Sequence, residues 1–481
     1  MGKVILNRAD LRNRIHGCWM GKSIGGTLGT PFEGRREIQN VTGYTHPRGE
    51  PLPNDDLDLQ LVWLMAFQNR GPKGINSQVL GEYWLNFIPP HWNEYGINKA
   101  NQRAGLLPPL SGQYRNERWK HSNGAWIRSE IWACLAPGCP DVALRFAYED
   151  ASVDHGGGEG TFAELFTAAV ESAAFVERDR DALIRIGLSK IPPDCRVARS
   201  IGIVLEAYKK GLSWQEAREK VVADSADLGW FQAPANVAFV IVGWLYGEGD
   251  FGKSICTAVN CGDDTDCTGA TLGSILGILM GLDGIPKEWI EPIGERIVTI
   301  AIDRGSMWGR LPNDVSVLTD MVMSQVPVMM GSFPGGVEIA DKPTDLSGVP
   351  DLKLDDNGTA RSLWSRSPYA VTFDFVHTRV EVDYQRDPDI AAGKPFPMTV
   401  TLYNQMPDIR HMDLIWHLPQ GWAVTPSEAS HVVLDHWPPE RKVTVEITAN
   451  RVDKGVNRGI LEIVAPGRPT VGLIPLVFMS A

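Results

Sequence analysis

The chain has 481 residues, 43% of them hydrophobic and 22% charged, and a formal net charge of −12. That length allows two or three domains at about 100–200 residues each, and the composition is that of an ordinary globular protein. The acidic balance excludes a general binder of nucleic acid or anionic membranes, since both need a basic surface to release counterions.

At the start, Val4-Ile5-Leu6 runs straight into Asn7-Arg8-Ala9-Asp10-Leu11-Arg12, so no signal-peptide core develops. Gly2 lacks the Ser or Thr of a myristoylation signal. The most apolar run, 270–282, is Gly-rich and shorter than the ~18–20 residues of a membrane span. Seven cysteines, odd in number and absent from the C-terminal part, do not form a disulfide framework. The reading is a reduced, cytoplasmic protein.

Helical periodicity dominates from about residue 10 to 325, with clear segments at 57–67, 161–175, 197–208, 214–222, 236–245 and 268–280. Gly17, Gly21, Gly25 and Gly29 recur every four residues, and Gly269, Gly273, Gly277 and Gly281 repeat the pattern. Glycine costs about 1 kcal/mol per helical position relative to alanine, so eight of them predict two helices in close contact. Between the helices, 87–123 carries Pro89-Pro90, Pro108-Pro109, Trp92, Tyr95 and Tyr114 and reads as a long, functional loop.

Two acidic clusters each precede an amphipathic or glycine-striped helix: Pro53-Asn54-Asp55-Asp56-Leu57-Asp58, and Asn260-Cys261-Gly262-Asp263-Asp264-Thr265-Asp266-Cys267-Thr268. An acidic first turn capped by Asn54 suits the helix dipole and needs no ligand. The second cluster exceeds what capping requires. Packed carboxylates repel, and a raised pKa or a bound cation relieves them. Oxygen donors of this kind suit Mg²⁺ first, with Mn²⁺ or Ca²⁺ as alternatives, rather than zinc. The glycine run of Ser152-Val153-Asp154-His155-Gly156-Gly157-Gly158-Glu159-Gly160 lets backbone approach a ligand, with His155 and Glu159 as polar contacts.

After a transition zone at 327–367 the texture changes to period two. Strands are predicted at 372–376, 380–384, 398–403, 413–417, His431–Leu434, 443–447, 459–464 and 472–478, an immunoglobulin-like antiparallel β-sandwich. The predicted organisation is a helical domain at 1–326, a linker or extended segment at 327–367 and the sandwich at 368–481.

The first two-thirds resembles the ADP-ribosylglycohydrolase family (dinitrogenase reductase-activating glycohydrolase-like). Its motifs are a Gly-rich first helix ending near Glu33, an early Thr-Asp-Asp-Thr and a late Gly-x-Asp-Thr-Asp-Thr. Here Gly17 to Gly34, Asn54-Asp55-Asp56-Leu57 and Gly262-Asp263-Asp264-Thr265-Asp266-Cys267 occupy those places, in order, over about 320 residues. The Ser122-Asn123-Gly124-Ala125-Trp126-Ile127-Arg128 segment is similar to a pocket-lining motif of the same family.

The resemblance implies an all-α metal-dependent glycohydrolase, here a divergent subgroup carrying a sandwich. It implies metal ligands at Asn54, Asp55, Asp56, Asp264 and Asp266, for one or two ions. It also implies catalytic roles for Glu33, Asp56 and Asp264, and substrate contacts at Asn123, His155 and Glu159. The expected substrate is an ADP-ribosyl or related ribosyl unit. A glycosidase acting on a small glycoside is the alternative, and a non-catalytic ligand-binding relative is the third reading. Asn54, Leu57 and Cys267 stand where the family has threonines; Thr268, one residue on, is a substitute donor.

Overall fold

The computed structural model describes residues 3–45, 49–307, 311–468 and 471–480, and Gly2 lies outside them. The chain divides into two compact units: 1–96 with 116–365, and 97–115 with 366–481.

The first unit is a helical array. Helix α1, Arg8–Gly29, starts at Asn7, whose side chain accepts from Ala9 N and Asp10 N. Helix α2, Asp55–Arg70, starts at Asn54 and stops at Gly71, which has a φ of 67°. The periodic segments named from sequence fall in α2 and the helices Glu159–Ala173, Arg196–Lys209, Trp214–Asp224, Ala233–Tyr246 and Thr265–Met280, with 161–175 running two residues past its helix. Trp19, Trp63, Trp84, Trp126 and Trp132 are fully buried among them. Among the described residues, no helix is long and apolar enough to cross a membrane.

Along the stripe, α1 and the Thr265–Met280 helix touch backbone to backbone. A Cβ placed on Gly21 would lie 1.9 Å from Gly273 O, and one on Gly25 would lie 1.9 Å from Gly269 O. A Cβ on Gly277 would meet Gly17 O at 1.9 Å. No side chain fits, so glycine is required at these positions and its helical cost is offset by the contact.

Two expectations need correction. The first unit is not strictly all-α: β1, Val4–Asn7, pairs in parallel with β2, Val337–Ala340, from Val4↔Val337 to Asn7↔Ala340. The 327–367 segment is not an extended connector either. It holds the end of the Val315–Ser332 helix, β2 and two short helices, Val349–Leu352 and Gly358–Trp364, and nearly all of it belongs to the first unit. Local periodicity could not reveal β2, because its partner lies some 330 residues away.

The second unit is a sandwich of β3 (Ala370–Phe375), β4 (Thr378–Asp383), β5 (Phe396–Asn404), β6 (Arg410–His417), β7 (Trp422–Thr425), β8 (His431–Leu434), β9 (Glu440–Ala449), β10 (Gly455–Val464) and β11 (Val471–Ser480). One sheet has the order β3-β4-β5-β9-β7 and the other β11-β10-β6-β8, all antiparallel. Inward positions alternate as period two requires: Met398, Val400 and Leu402 face Met412, Leu414, Leu461, Ile463, Ile474 and Leu476 in one core. The 87–123 stretch also departs from a plain loop. It contains helix Asn93–Ala104 and the turn Leu110–Gln113, and its 97–115 portion places Leu106, Leu110 and Tyr114 in the sandwich core.

Gly21→Ala should destabilise the helical unit by about 3 kcal/mol or more through forced separation of the two helices. Gly202→Ala, on the exposed face of Arg196–Lys209 with nothing within 4 Å of the new Cβ, should stabilise by about 0.5–1 kcal/mol. Chemical denaturation of both variants against the wild type reads the difference, and equal small effects would remove the stripe's structural role.

Candidate functional site

The glycine crossing runs α1 out where the other helix begins. Thr265 Oγ1 donates to Gly29 O at 2.8 Å, sealing the two ends. Past the turn Thr30–Phe32 the chain reverses. There Gly34 N donates to Asp263 O at 2.8 Å and Asp263 N to Arg35 O at 2.7 Å. Gly262 and Asp263, at φ 78° and 62°, form the left-handed corner that directs Asp264 and Asp266 toward Glu33.

At this corner the predicted acidic residues converge. Donor atoms of Glu33, Asp264 and Asp266 lie within 4.8 Å of one another, and so do those of Asp56, Asp266 and Cys267. Asp56 and Asp264 are each 1% exposed and Asp266 6%. Asp56 Oδ2, Asp264 Oδ1 and Asp266 Oδ1 have no hydrogen-bond partner in the protein. Two like charges 4 Å apart repel by about 4 kcal/mol at an effective dielectric near 20, so this cluster needs protons or a cation. Oxygen donors left open in a shared pocket fit a hard divalent ion. Burial raises the carboxyls of Asp55, Asp56 and Asp264, reinforced by Asp266 and opposed at Asp56 by Lys22. Desolvation at the cleft mouth, then Asp266 and Asp55, push Glu33 up to about 8.

Asn54 caps α2 with its amide oxygen: Oδ1 accepts from Asp56 N at 2.7 Å, and its Nδ2 donates to Asp266 Oδ2 at 3.1 Å. The Thr268 hydroxyl donates to Thr265 O at 3.1 Å on its own helix. Asp58 faces elsewhere, accepting from Ile300 N and Ala301 N at 2.7 and 2.6 Å.

The carboxylates open into a cleft of about 320 Å³ whose lining includes Glu33, Asp55, Trp92, Glu94, Tyr95, Trp230, Phe231, Asp264, Asp266 and Cys267. Tyr95 donates its hydroxyl to Asp55 Oδ2 at 2.8 Å, and Trp92 stacks on Tyr95 with centroids 6.0 Å apart. Among the described lining residues there is no lysine or arginine. Sequence does not single out Glu94, Trp230 and Phe231: Glu94 opens the helix Asn93–Ala104, Trp230 and Phe231 sit in a turn, and none belongs to a motif.

Asn123, His155 and Glu159 do not line this cleft. Asn123 is fully buried behind it: Nδ2 donates to Asp264 Oδ2 at 2.6 Å, and Oδ1 accepts from Trp126 Nε1 at 3.0 Å. His155, also fully buried, places Nε2 3.2 Å from Ser122 Oγ and Nδ1 2.9 Å from Asp154 Oδ1. Glu159 Oε1 accepts from Arg196 N and Oε2 from Val197 N, each at 3.0 Å, at the start of the Arg196–Lys209 helix. The glycines beside them serve packing, since a Cβ on Gly158 would strike Lys120 O at 1.9 Å and one on Gly160 the His155 ring at 2.0 Å.

Behind this layer lies Arg128, fully buried, which sequence did not distinguish. It donates to Asp150 at 2.8 Å, to both oxygens of Asp154 at 2.7 and 3.0 Å, and to Gly124 O. Burial alone would raise Asp154, but Arg128 and His155 hold it down at about 2.

Arg128→Met should cost about 3–5 kcal/mol in denaturation, because it strands two buried carboxylates. For the acidic cluster, the raised carboxyls mean that the folded cation-free chain binds more protons than the unfolded chain between about pH 4 and about pH 8. Its stability therefore falls as pH rises through that window. A divalent cation replaces those protons, so the melting-temperature gain from Mg²⁺ should be larger at about pH 8 than at about pH 5. It should vanish in Asp266→Asn. Equal gains at both pH values would mean the ion binds elsewhere.

The sequence profile of the ADP-ribosylglycohydrolase family matches residues 7–315. The chain is 37% identical over 293 residues to ADP-ribosylarginine hydrolase Tri1 of Pseudomonas putida (strain GB-1), covering 58% of this chain and 74% of the relative. It is 39% identical over 59 residues to ADP-ribosylarginine hydrolase Tri1 of Serratia proteamaculans (strain 568), 12% of this chain and 16% of the relative. A solved structure titled "ADP-ribosylglycohydrolase-related protein complex" aligns at 19% identity with a TM-score of 0.45, over 67% of this chain and 98% of that one. The chain belongs to the ADP-ribosylglycohydrolase family and is a glycosidic-bond hydrolase.

Proposed function

We propose that this enzyme removes ADP-ribose, or a closely related ribosyl group, from a cationic acceptor of the arginine type. The observation that carries the reading is the cluster of open, buried carboxylate oxygens at the floor of an aromatic cleft without lysine or arginine among its described lining residues. A guanidinium is attracted by such carboxylates and stacks on the indole faces of Trp92 and Trp230. The 37%-identical relative is named for ADP-ribosylarginine, which supports the same acceptor.

Asp55, Asp56, Asp264 and Asp266 would hold the cation, which we take as Mg²⁺ with Mn²⁺ as the closest substitute. When bound, that ion supplies Lewis acidity and charge stabilisation beside the sugar hydroxyls. Glu33 is the proton-transfer group. It stands at the solvent rim beside Asp264 and Asp266, where it can exchange a proton with water or the leaving group. Asn123 and Asn54 orient Asp264 and Asp266, and Tyr95 orients Asp55. The neighbouring carboxylates stabilise positive charge developing at the anomeric carbon.

A second reading rests on the same lining. A diphosphate entering beside carboxylates meets no basic partner there, which favours a neutral furanoside or other small glycoside. We place the enzyme in the cytoplasm, because all seven thiols are unpaired and buried.

A panel of ADP-ribosylated arginine, ADP-ribosylated serine and aryl furanosides, assayed with Mg²⁺ or Mn²⁺, tests the reading. Turnover of the arginine conjugate is expected, with Glu33→Gln lowering kcat by about 10²–10⁴-fold at little change in KM. Turnover of the aryl glycosides alone would replace the first reading with the second.

A further inference from the structure

We propose that Cys267 turns the inner half of the metal centre into a thiolate-bearing subsite for a thiophilic divalent cation of the zinc, cobalt(II) or iron(II) class, beside an oxygen-only subsite. The inference rests on the reading of the acidic cluster as a cation site and divides that site in two.

Two donor sets share Asp266. Glu33, Asp264 and Asp266 offer oxygen alone, whereas Asp56, Asp266 and Cys267 include a sulfur. Cys267 is 4% exposed, and its Sγ lies 3.6 Å from Asp56 Oδ1. The other Asp56 oxygen and Asp266 Oδ1 are buried without a hydrogen-bond partner. Lys22 pairs with Asp56 Oδ2 only at 3.8 Å, without a hydrogen bond, because its ammonium donates to Glu130 Oε1 at 2.7 Å.

The thiol donates to Asp56 Oδ1 across that 3.6 Å, and a zinc-sized ion in the proton's place, with sulfur and oxygen at about 2.3 and 2.1 Å, would keep much the same separation. Mg²⁺ demands six close oxygen ligands at about 2.0–2.1 Å and gains little from a thiol. Three protein donors with a fourth position open toward the cleft match the reactive rather than the closed type of zinc site. The backbone of Cys267 is fixed, because it stands in the first turn of a helix held at backbone contact by Gly269 and Gly273.

The test uses the whole chain stripped of metal and titrated with Co²⁺, which reports sulfur ligation through a thiolate-to-cobalt charge-transfer band in the near ultraviolet. Wild type should show that band, Zn²⁺ should abolish it, and excess Mg²⁺ should not. In Cys267→Ser and Cys267→Thr the band should be absent, and Zn²⁺ affinity should fall by about 10- to 100-fold. Mn²⁺ binding at the oxygen-only subsite should stay within a few-fold. The wild-type spectrum alone decides the matter should either variant fold poorly. Cobalt bound without a sulfur band, or displaced by Mg²⁺ as readily as in Cys267→Thr, overturns the thiolate subsite and leaves the oxygen site standing. Failure of wild type to bind any of the four ions overturns the cation reading itself.

Discussion

The backbone contact between α1 and the Thr265–Met280 helix organises everything that matters chemically in the helical unit. With no side chains between them at Gly21, Gly25, Gly273 and Gly277, the two helices cannot slide without breaking contact. The end of one is therefore locked to the start of the other. That lock carries Glu33 past Gly29 and holds it within reach of Asp264 and Asp266. α2 joins through Asn54, whose amide bridges the cap of its own helix to Asp266. Three chain segments, the last of them more than 200 residues from the other two, thus meet in one cluster.

Such a cluster is unstable on electrostatic grounds, and the surrounding structure is arranged to hold it. Lys22, Gln60 and Glu130 form a buried polar layer under Asp56. Asn123 and Trp126 form another behind Asp264, and Arg128 fixes the peptide oxygen of Gly124 and the Asp154 carboxylate beyond that. The side chains of Gln60, Asn123 and Arg128 in these layers are hydrogen-bonded, whereas Asp56 Oδ2, Asp264 Oδ1 and Asp266 Oδ1 at the cleft floor are not. Those open oxygens are positions a ligand can take.

Much of this was legible in the sequence. The four-residue glycine repeats announced the helix contact, because nothing else offsets their cost, and period-two alternation located eight of the nine sandwich strands. β7 escaped because four residues alternating between half-buried and exposed carry little signal. Order and spacing of motifs singled out the four aspartates that we propose as cation ligands. What sequence could not give was direction: that the Asn54 oxygen accepts from Asp56 N, and that Asn123 and His155 are buried behind the cleft lining. Such choices are set by partners distant in the chain. Arg128 was invisible for the same reason, since an arginine in sequence gives no sign that three acceptors will enclose it.

The placement of 97–115 among the strands has a consequence for synthesis of the chain. Leu106, Leu110 and Tyr114 find their apolar neighbours in Val371, Val382, Tyr384 and Val477. Those partners are translated roughly 260–370 residues later, about 13–75 s at ordinary elongation rates. The nascent chain must therefore carry an apolar segment in the middle of the helical unit, unsatisfied, until its last strands emerge. The sandwich is not an ornament added to a finished enzyme. Its completion is the step that ends the exposure of that segment.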